Sequence, residues 1–232
     1  MSEPIFFQLF ECESSTYTYL IGDFDSREAA LIDPVLDTVD RDLSLVSELG
    51  LQLKYVLDTH IHADHVTAAG ELRKRTKAKT AVSELASVDC ADIQLKDQQE
   101  LMLGNRKIKV LTTPGHTNSC LCFLFENKLF SGDTLLIRGT GRTDFQQGSA
   151  EKLFESVHEK LFTLPDFTQV YPAHDYKGFT SSSIGLEKQF NPRLGAGKTK
   201  TEFLKIMSEL KLAQPKNIQT AVPLNLACGQ KS

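Results

Sequence analysis

Tyr55-Val56-Leu57-Asp58-Thr59-His60-Ile61-His62-Ala63-Asp64-His65 is an apolar run that ends in three histidines and an aspartate within six positions. Half of the six histidines of the chain fall in this stretch. Imidazole nitrogens and a carboxylate are the side chains that hold first-row transition metals. The run before them reads as a buried strand whose end would hold the ligand loop stiffly.

Three further stretches repeat that grammar. An alternating strand over residues 107–113 runs into Pro114-Gly115-His116. A hairpin turning at Glu126-Asn127 sends its second arm, Lys128-Leu129-Phe130, into Ser131-Gly132-Asp133, and Val170-Tyr171-Pro172-Ala173 ends at His174-Asp175. Four strands therefore end in ligands at what can be one sheet edge, a preorganised site open to substrate. His60, His62, Asp64, His65, His116, Asp133 and His174 make seven candidate ligands. Since an aspartate can bridge two ions, that count is nearly enough for a dinuclear zinc centre and favours hydrolysis. A mononuclear ferrous centre needs only two histidines and one carboxylate on one face. The sixth histidine, His158, lies inside an apparent helix and reads as an ordinary packing residue.

The 232 residues, 41% of them hydrophobic, suffice for a globular protein with a substantial core. A formal charge of -4 without a basic block leaves no electrostatic footprint for nucleic acid or an anionic membrane. A second copy of the chain, as a homodimer, is the remaining candidate protein partner. The start, Met1-Ser2-Glu3-Pro4-Ile5-Phe6-Phe7-Gln8, lacks the basic region and longer apolar core of a secretory signal, and it is not an Arg-rich transit peptide. A cytoplasmic protein or a mature organellar form is expected. Five cysteines at scattered positions do not read as a disulfide framework and suit a reducing compartment.

Residues 5–10 and the alternating Tyr17, Tyr19 and Ile21 read as an antiparallel strand pair, with a third strand from Ala29 stopped by Pro34. Asp37 or Thr38 caps a helix carrying Val39, Leu43, Val46 and Leu49, which Gly50 ends. Further helices are expected over 68–75, 150–161, 182–190 and 201–210, and a short strand over 79–82. Residues 83–97 give no clear pattern. Without an internal repeat or low-complexity linker, residues 1–194 read as one catalytic domain and 195–232 as a helical extension and tail on it.

The order Thr59-His60-Ile61-His62-Ala63-Asp64-His65, then Pro114-Gly115-His116, Gly132-Asp133 and Pro172-Ala173-His174-Asp175 resembles the metallo-β-lactamase superfamily, from the first strand to residue 193. That resemblance implies an α/β fold, the αββα sandwich of two mixed sheets flanked by helices. A second signature runs from Leu136 through Gly139-Thr140-Gly141-Arg142-Thr143-Asp144-Phe145 to Gly148. With Tyr176-Lys177-Gly178-Phe179-Thr180 and Asn191-Pro192-Arg193-Leu194, it is similar to the persulfide dioxygenase (sulfur dioxygenase) branch, related in fold to glyoxalase II. The resemblance implies one Fe(II) per chain, held by His60, His116 and Asp133. His62, Asp64, His65 and His174 would orient ligands and water through hydrogen bonds.

The implied reaction takes glutathione persulfide, O2 and water to sulfite and glutathione, incorporating both atoms of O2. Glutathione carries two carboxylates, so cations should line its pocket. Arg142 and Tyr176 are placed beside the substrate by the resemblance, and Lys177 fits the same role. Arg193 is assigned more to a salt bridge anchoring the tail than to substrate, and Asp144 is a candidate partner for Arg142. Cys120 and Cys122 are expected as buried packing residues, and Cys228 as a redox-sensitive residue near the pocket mouth. The competing reading is a glyoxalase II-like dinuclear zinc hydrolase of acyl-glutathione thioesters, although no basic helical glutathione-binding domain follows His174.

Overall fold

The structure is a computed structural model describing residues 2–215 and 217–230. Two six-stranded sheets face each other. The first contains β1 (Pro4–Glu11), β2 (Thr16–Asp23), β3 (Glu28–Ile32), β4 (Gln52–Leu57), β5 (Lys79–Ser83) and β6 (Ile93–Leu95), in that order. The second runs from β7 (Glu100–Leu103) through β8 (Arg106–Thr112), β9 (Leu121–Phe125), β10 (Lys128–Gly132) and β11 (Gln169–Pro172) to β12 (Ser182–Ser183). Strands β3 to β6 pair parallel, as do β10 and β11, and the remaining pairs are antiparallel. The expected mixed-sheet sandwich is therefore present.

Alternation along the strands builds three layers of core. Tyr19, Ile21, Ile32, Leu57, Phe123 and Phe130 meet between the sheets. Their neighbours Leu20, Leu31 and Val56 face outward under α1 (Val39–Glu48) and α2 (Ala69–Thr76). On the far side, Leu111, Leu129 and Val170 pack against Leu153 and Val157 of α3 (Ala150–Glu155) and its π-helical continuation Ser156–Leu161. In β4 the phase changes midway. Ala29 pairs with Leu53 but Ala30 with Tyr55, so Lys54 is an extra residue that turns Tyr55 and Leu57 toward the inner core.

The helix read from Val39 to Leu49 is α1, and Gly50 follows it at φ 62°. Residues 83–97 contain a single helical turn, Glu84–Ala86, and the short β6. β7, with four residues, is too short to show a period in the sequence. The helix expected over 182–190 begins at Ile184 because Ser182 and Ser183 first pair with β11; α4 is Ile184–Phe190. After α5 (Lys200–Glu209), a helix that the sequence did not disclose, α6 (Ile218–Leu226), contains Pro223. It brings Cys228 against Cys90 in a disulfide, Cα to Cα 6.1 Å across 138 residues. The scattered spacing gave no sign of this pair, because so long a separation leaves no spacing signal. Cys228 is buried rather than at a pocket mouth. Among the described residues no helix is long and apolar enough to cross a membrane.

Candidate metal centre and substrate cleft

β8, β10 and β11 run the same way, and Thr59 just past β4 of the facing sheet meets Leu121 and Gly132, so Leu57, Thr112, Gly132 and Pro172 deliver their loops to one edge of the sandwich. Hydrogen bonds across the sheets close that edge: Leu121 N donates to Thr59 O (2.7 Å) and Tyr17 N to Ala173 O (2.8 Å). A fifth strand end, β3, supplies Asp33 at φ 51°. Its carboxylate accepts from Thr59 N (2.7 Å), Thr59 Oγ1 (2.8 Å) and His62 Nε2 (3.1 Å). Asp33 escaped the sequence reading because Asp-Pro after a strand looks like an ordinary stop.

Ligand atoms of His60, His116 and Asp133 lie within 4.8 Å of one another. The hydroxyl proton of Thr59 goes to Asp33, so Thr59 Oγ1 accepts from His60 Nδ1 at 3.0 Å and leaves Nε2 with a lone pair. His116 Nδ1 donates to Arg142 O (2.7 Å), and its Nε2 lies 3.5 Å from Asp133 Oδ2. Two glycines permit this approach. At Gly132, φ 52°, a Cβ would stand 2.7 Å from Thr59 Oγ1; at Gly141 it would stand 2.4 Å from Asp133 O and 2.8 Å from His116 Nδ1.

A second group, His62, Asp64 and His65, also has ligand atoms within 4.8 Å. His174 Nδ1 donates to Ser15 O (3.2 Å), while its Nε2 lies 3.5 Å from Asp64 Oδ2 and 3.9 Å from Asp133 Oδ1. All seven sequence candidates thus meet in one place. Among the described residues, the buried side-chain atoms without a hydrogen-bond partner are His62 Nδ1, His65 Nδ1, His65 Nε2 and Asp133 Oδ1. Every one belongs to this cluster. Because buried polar atoms are nearly always paired, this donor set fits a cation.

Without a metal, the protonation pattern agrees with such a donor set at His60, His65 and Asp64, whereas His62 carries a proton. Burial and the surrounding histidines drive His60 well below the ordinary imidazole range. Burial opposes charge on His62 too, but Asp33, Asp64 and Asp58 raise it to about 9. Burial, with His62 adjacent, pushes His65 down to about 4. Although burial favours its neutral form, Asp64 is held at about 2 by His174, His65 and His62.

Above the cluster opens a cleft of about 450 Å³, walled by Leu136, Ile137, Tyr176, Lys177, Arg142, Arg193, Leu212 and Pro215. Its cations differ in commitment. Arg142 holds Asp144 bidentately (2.6 and 2.8 Å), donates to Ala213 O (2.6 Å) and lies over the Phe145 ring (4.4 Å). Arg193 has no carboxylate partner among the described residues, against the expected salt bridge; its Nη1 donates to Thr140 O (2.9 Å) and Thr140 Oγ1 (3.2 Å). The Asn191-Pro192-Arg193-Leu194 turn aims it: Asn191 Oδ1 accepts from Arg193 N and Leu194 N, and Asn191 Nδ2 donates to Gly139 O. Asp175 Oδ2 accepts from Lys177 N and Phe179 N, a tight turn that exposes Tyr176 and Lys177. The Tyr176 ring lies parallel to that of His174 with centroids 6.0 Å apart.

Cys120 and Cys122 are buried, and burial raises their thiols to about 12 and about 11. His158 stacks on Phe154 (3.8 Å), away from the cluster.

Residues 13–174 match the family described as the metallo-beta-lactamase superfamily. The chain is 49% identical over 224 residues to the mitochondrial persulfide dioxygenase ETHE1 of Homo sapiens, covering 96% of this chain and 87% of that protein. The crystal structure of ETHE1 from Myxococcus xanthus superimposes with a TM-score of 0.95 at 54% identity, covering 97% of this chain and all of that one. Glyoxylase B2 of Dictyostelium discoideum is 31% identical over 261 residues, covering 95% of this chain and 89% of that protein.

Proposed function

Since the chain belongs to the metallo-β-lactamase superfamily, we propose that it works as a persulfide dioxygenase, an oxidoreductase that converts glutathione persulfide, O2 and water to sulfite and glutathione. The observation that carries this reading is the cluster of His60, His116 and Asp133 at the floor of a cation-walled cleft, in a chain half identical to proteins of that name.

In this reading His60, His116 and Asp133 hold one ferrous ion. Bound there, it would supply open coordination positions and the redox chemistry by which dioxygen oxidises sulfane sulfur. The chain's own residues do the rest. Thr59 and the Arg142 carbonyl fix the two imidazoles with Nε2 turned inward. Arg193 and Lys177 take the carboxylates of the glutathionyl group, which leaves the sulfur end pointing to the floor. Arg142 acts through its wall contacts and its carbonyl, with its guanidinium spent on Asp144. Tyr176, Leu136, Ile137 and Leu212 cover the sulfur and keep bulk water off it. Water gives the third oxygen of sulfite and releases protons, and Asp64 and His174 line the cleft on that side with Asp64 Oδ2 3.5 Å from His174 Nε2.

The His62, Asp64 and His65 group favours a second reading, a dinuclear zinc thioesterase. The relative named as a glyoxylase is the more distant, 31% against 49% identical. We place the enzyme in the cytoplasm or, like its relatives named as mitochondrial, in the mitochondrion. Oxygen uptake by iron-loaded protein given glutathione persulfide, with sulfite formed in matching amount, is the expected result. Absence of uptake, with acyl-glutathione hydrolysis restored by zinc, would overturn it.

A further inference from the structure

The C-terminal helix is bonded to the histidine loop. Asn225, buried within α6, donates through Nδ2 to His62 O and His65 O (2.9 Å each) and accepts from Thr67 N through Oδ1 (2.8 Å). At the start of the same helix, Asn217 Nδ2 donates to Asp64 O (2.7 Å). Three carbonyls of the segment that carries His62, Asp64 and His65 therefore rest on two asparagines more than 150 positions away.

What holds α6 in place is slight. It has nine residues with Pro223 inside, too short to be stable by itself. Its apolar anchorage is a small cluster in which Val222 and Cys228 meet Ile61, Val82 and Val88. Directly after it, Cys228 O accepts from Gly70 N (2.9 Å), and the Cys228 sulfur is bonded to that of Cys90, which is half-buried in the turn before β6. Removing the bond would leave the clamp on the histidine loop to local fluctuation.

We propose that the Cys90–Cys228 disulfide is a thiol-exchange site, and that a low-molecular-weight thiol acting there releases the Asn225 clamp on the metal-ligand loop. A thiolate attacks the more accessible Cys90 sulfur and forms a mixed disulfide; the intramolecular bond breaks and Cys228 leaves as thiolate, then takes a proton. A second thiolate attacks the outer sulfur of the mixed disulfide. The products are a low-molecular-weight disulfide and two protein thiols, with both electrons supplied by the two thiols. Exchange with a low-molecular-weight disulfide reverses the sequence. Glutathione, the thiol product of the proposed reaction, belongs to this class.

The test uses the full chain purified metal-free and without reductant, and neither readout depends on catalysis. Mass spectrometry after alkylation should find Cys12, Cys120 and Cys122 free once the chain is denatured, with Cys90 and Cys228 labelled only after incubation with glutathione. Hydrogen exchange at the Thr67 amide and across peptides covering 60–67 should rise about tenfold on reduction. Cys90→Ser should exchange at the reduced rate with or without glutathione, whereas oxidised Asn225→Ala should already be fast and change little on reduction. Alkylation of Cys90 and Cys228 without reductant would overturn the proposal, as would unchanged exchange over 60–67 when both thiols are labelled. A failed oxygen-uptake assay would leave both results standing.

Discussion

Asp133 and His116 follow different strands, β10 and β8, and His116 Nε2 faces Asp133 Oδ2 at 3.5 Å. His116→Ala or Asp133→Ala should abolish iron retention and oxygen uptake together; metal analysis showing near-stoichiometric iron with activity would exclude that residue as a ligand. Gly141→Ala should lower iron occupancy without touching a ligand, because its Cβ would meet Asp133 O and His116 Nδ1. In the cleft the two arginines separate. Arg193→Ala should raise KM for glutathione persulfide about tenfold at nearly constant kcat, the loss of about one charge-assisted bond. Unchanged steady-state kinetics would remove it from the pocket. The sequence showed both arginines but not their commitments, since nothing local tells that Asp144 takes the Arg142 fork while Arg193, bonded to Thr140, has no carboxylate partner among the described residues.

At the scale of elements, α4 matters through Glu187, a fully buried carboxylate that accepts from Arg138 N (2.9 Å), Arg138 Nη1, Ser182 Oγ (2.5 Å) and Asn191 Nδ2 (2.9 Å). It ties the 136–141 loop to the turn that aims Arg193. Glu187→Ala leaves those donors unpaired and should cost about 3 kcal/mol in urea unfolding; a loss within error would mean that water replaces the carboxylate. Strand periodicity made β1 to β4 and β8 to β11 legible, because each has at least one face in the core. β6 and β7 are three and four residues long, too short for a period to show. α6 was hidden by Pro223, which argues against a helix locally.

For the whole molecule, the buried ligand cluster links stability to metal and to pH. A metal that binds the folded chain alone adds about 2.7 kcal/mol at one hundred times its Kd, so Tm should rise on iron loading and fall with chelation. Calorimetry finding equal Tm values would argue against occupancy of this site. In the metal-free protein His62 is raised from 6.5 to about 9, so its contribution is complete below pH 6.5 and disappears as pH rises through 9. His65, lowered to about 4, acts on the other side: its neutral form is favoured on folding, and that stability is lost as pH falls below 6.5. Metal-free Tm should fall from pH 6.5 to 9, and His62→Asn should flatten that limb; an unaltered slope would assign it to other groups.

The sequence by itself determined most of the strands and the edge at which the chemistry sits, and it reached the sandwich through the family resemblance that its motif order carries. Strand periodicity and the residues that stop each strand are local properties, and four such stops carried His60 to His65, His116, Asp133 and His174. Tertiary structure decided which partners those side chains meet. Asp33 beneath His62, Asn225 on the loop carbonyls and Cys90 bonded to Cys228 join positions 29, 163 and 138 residues apart. Such pairings depend on where two sheets and a terminal helix converge in space, which no periodicity along the chain encodes.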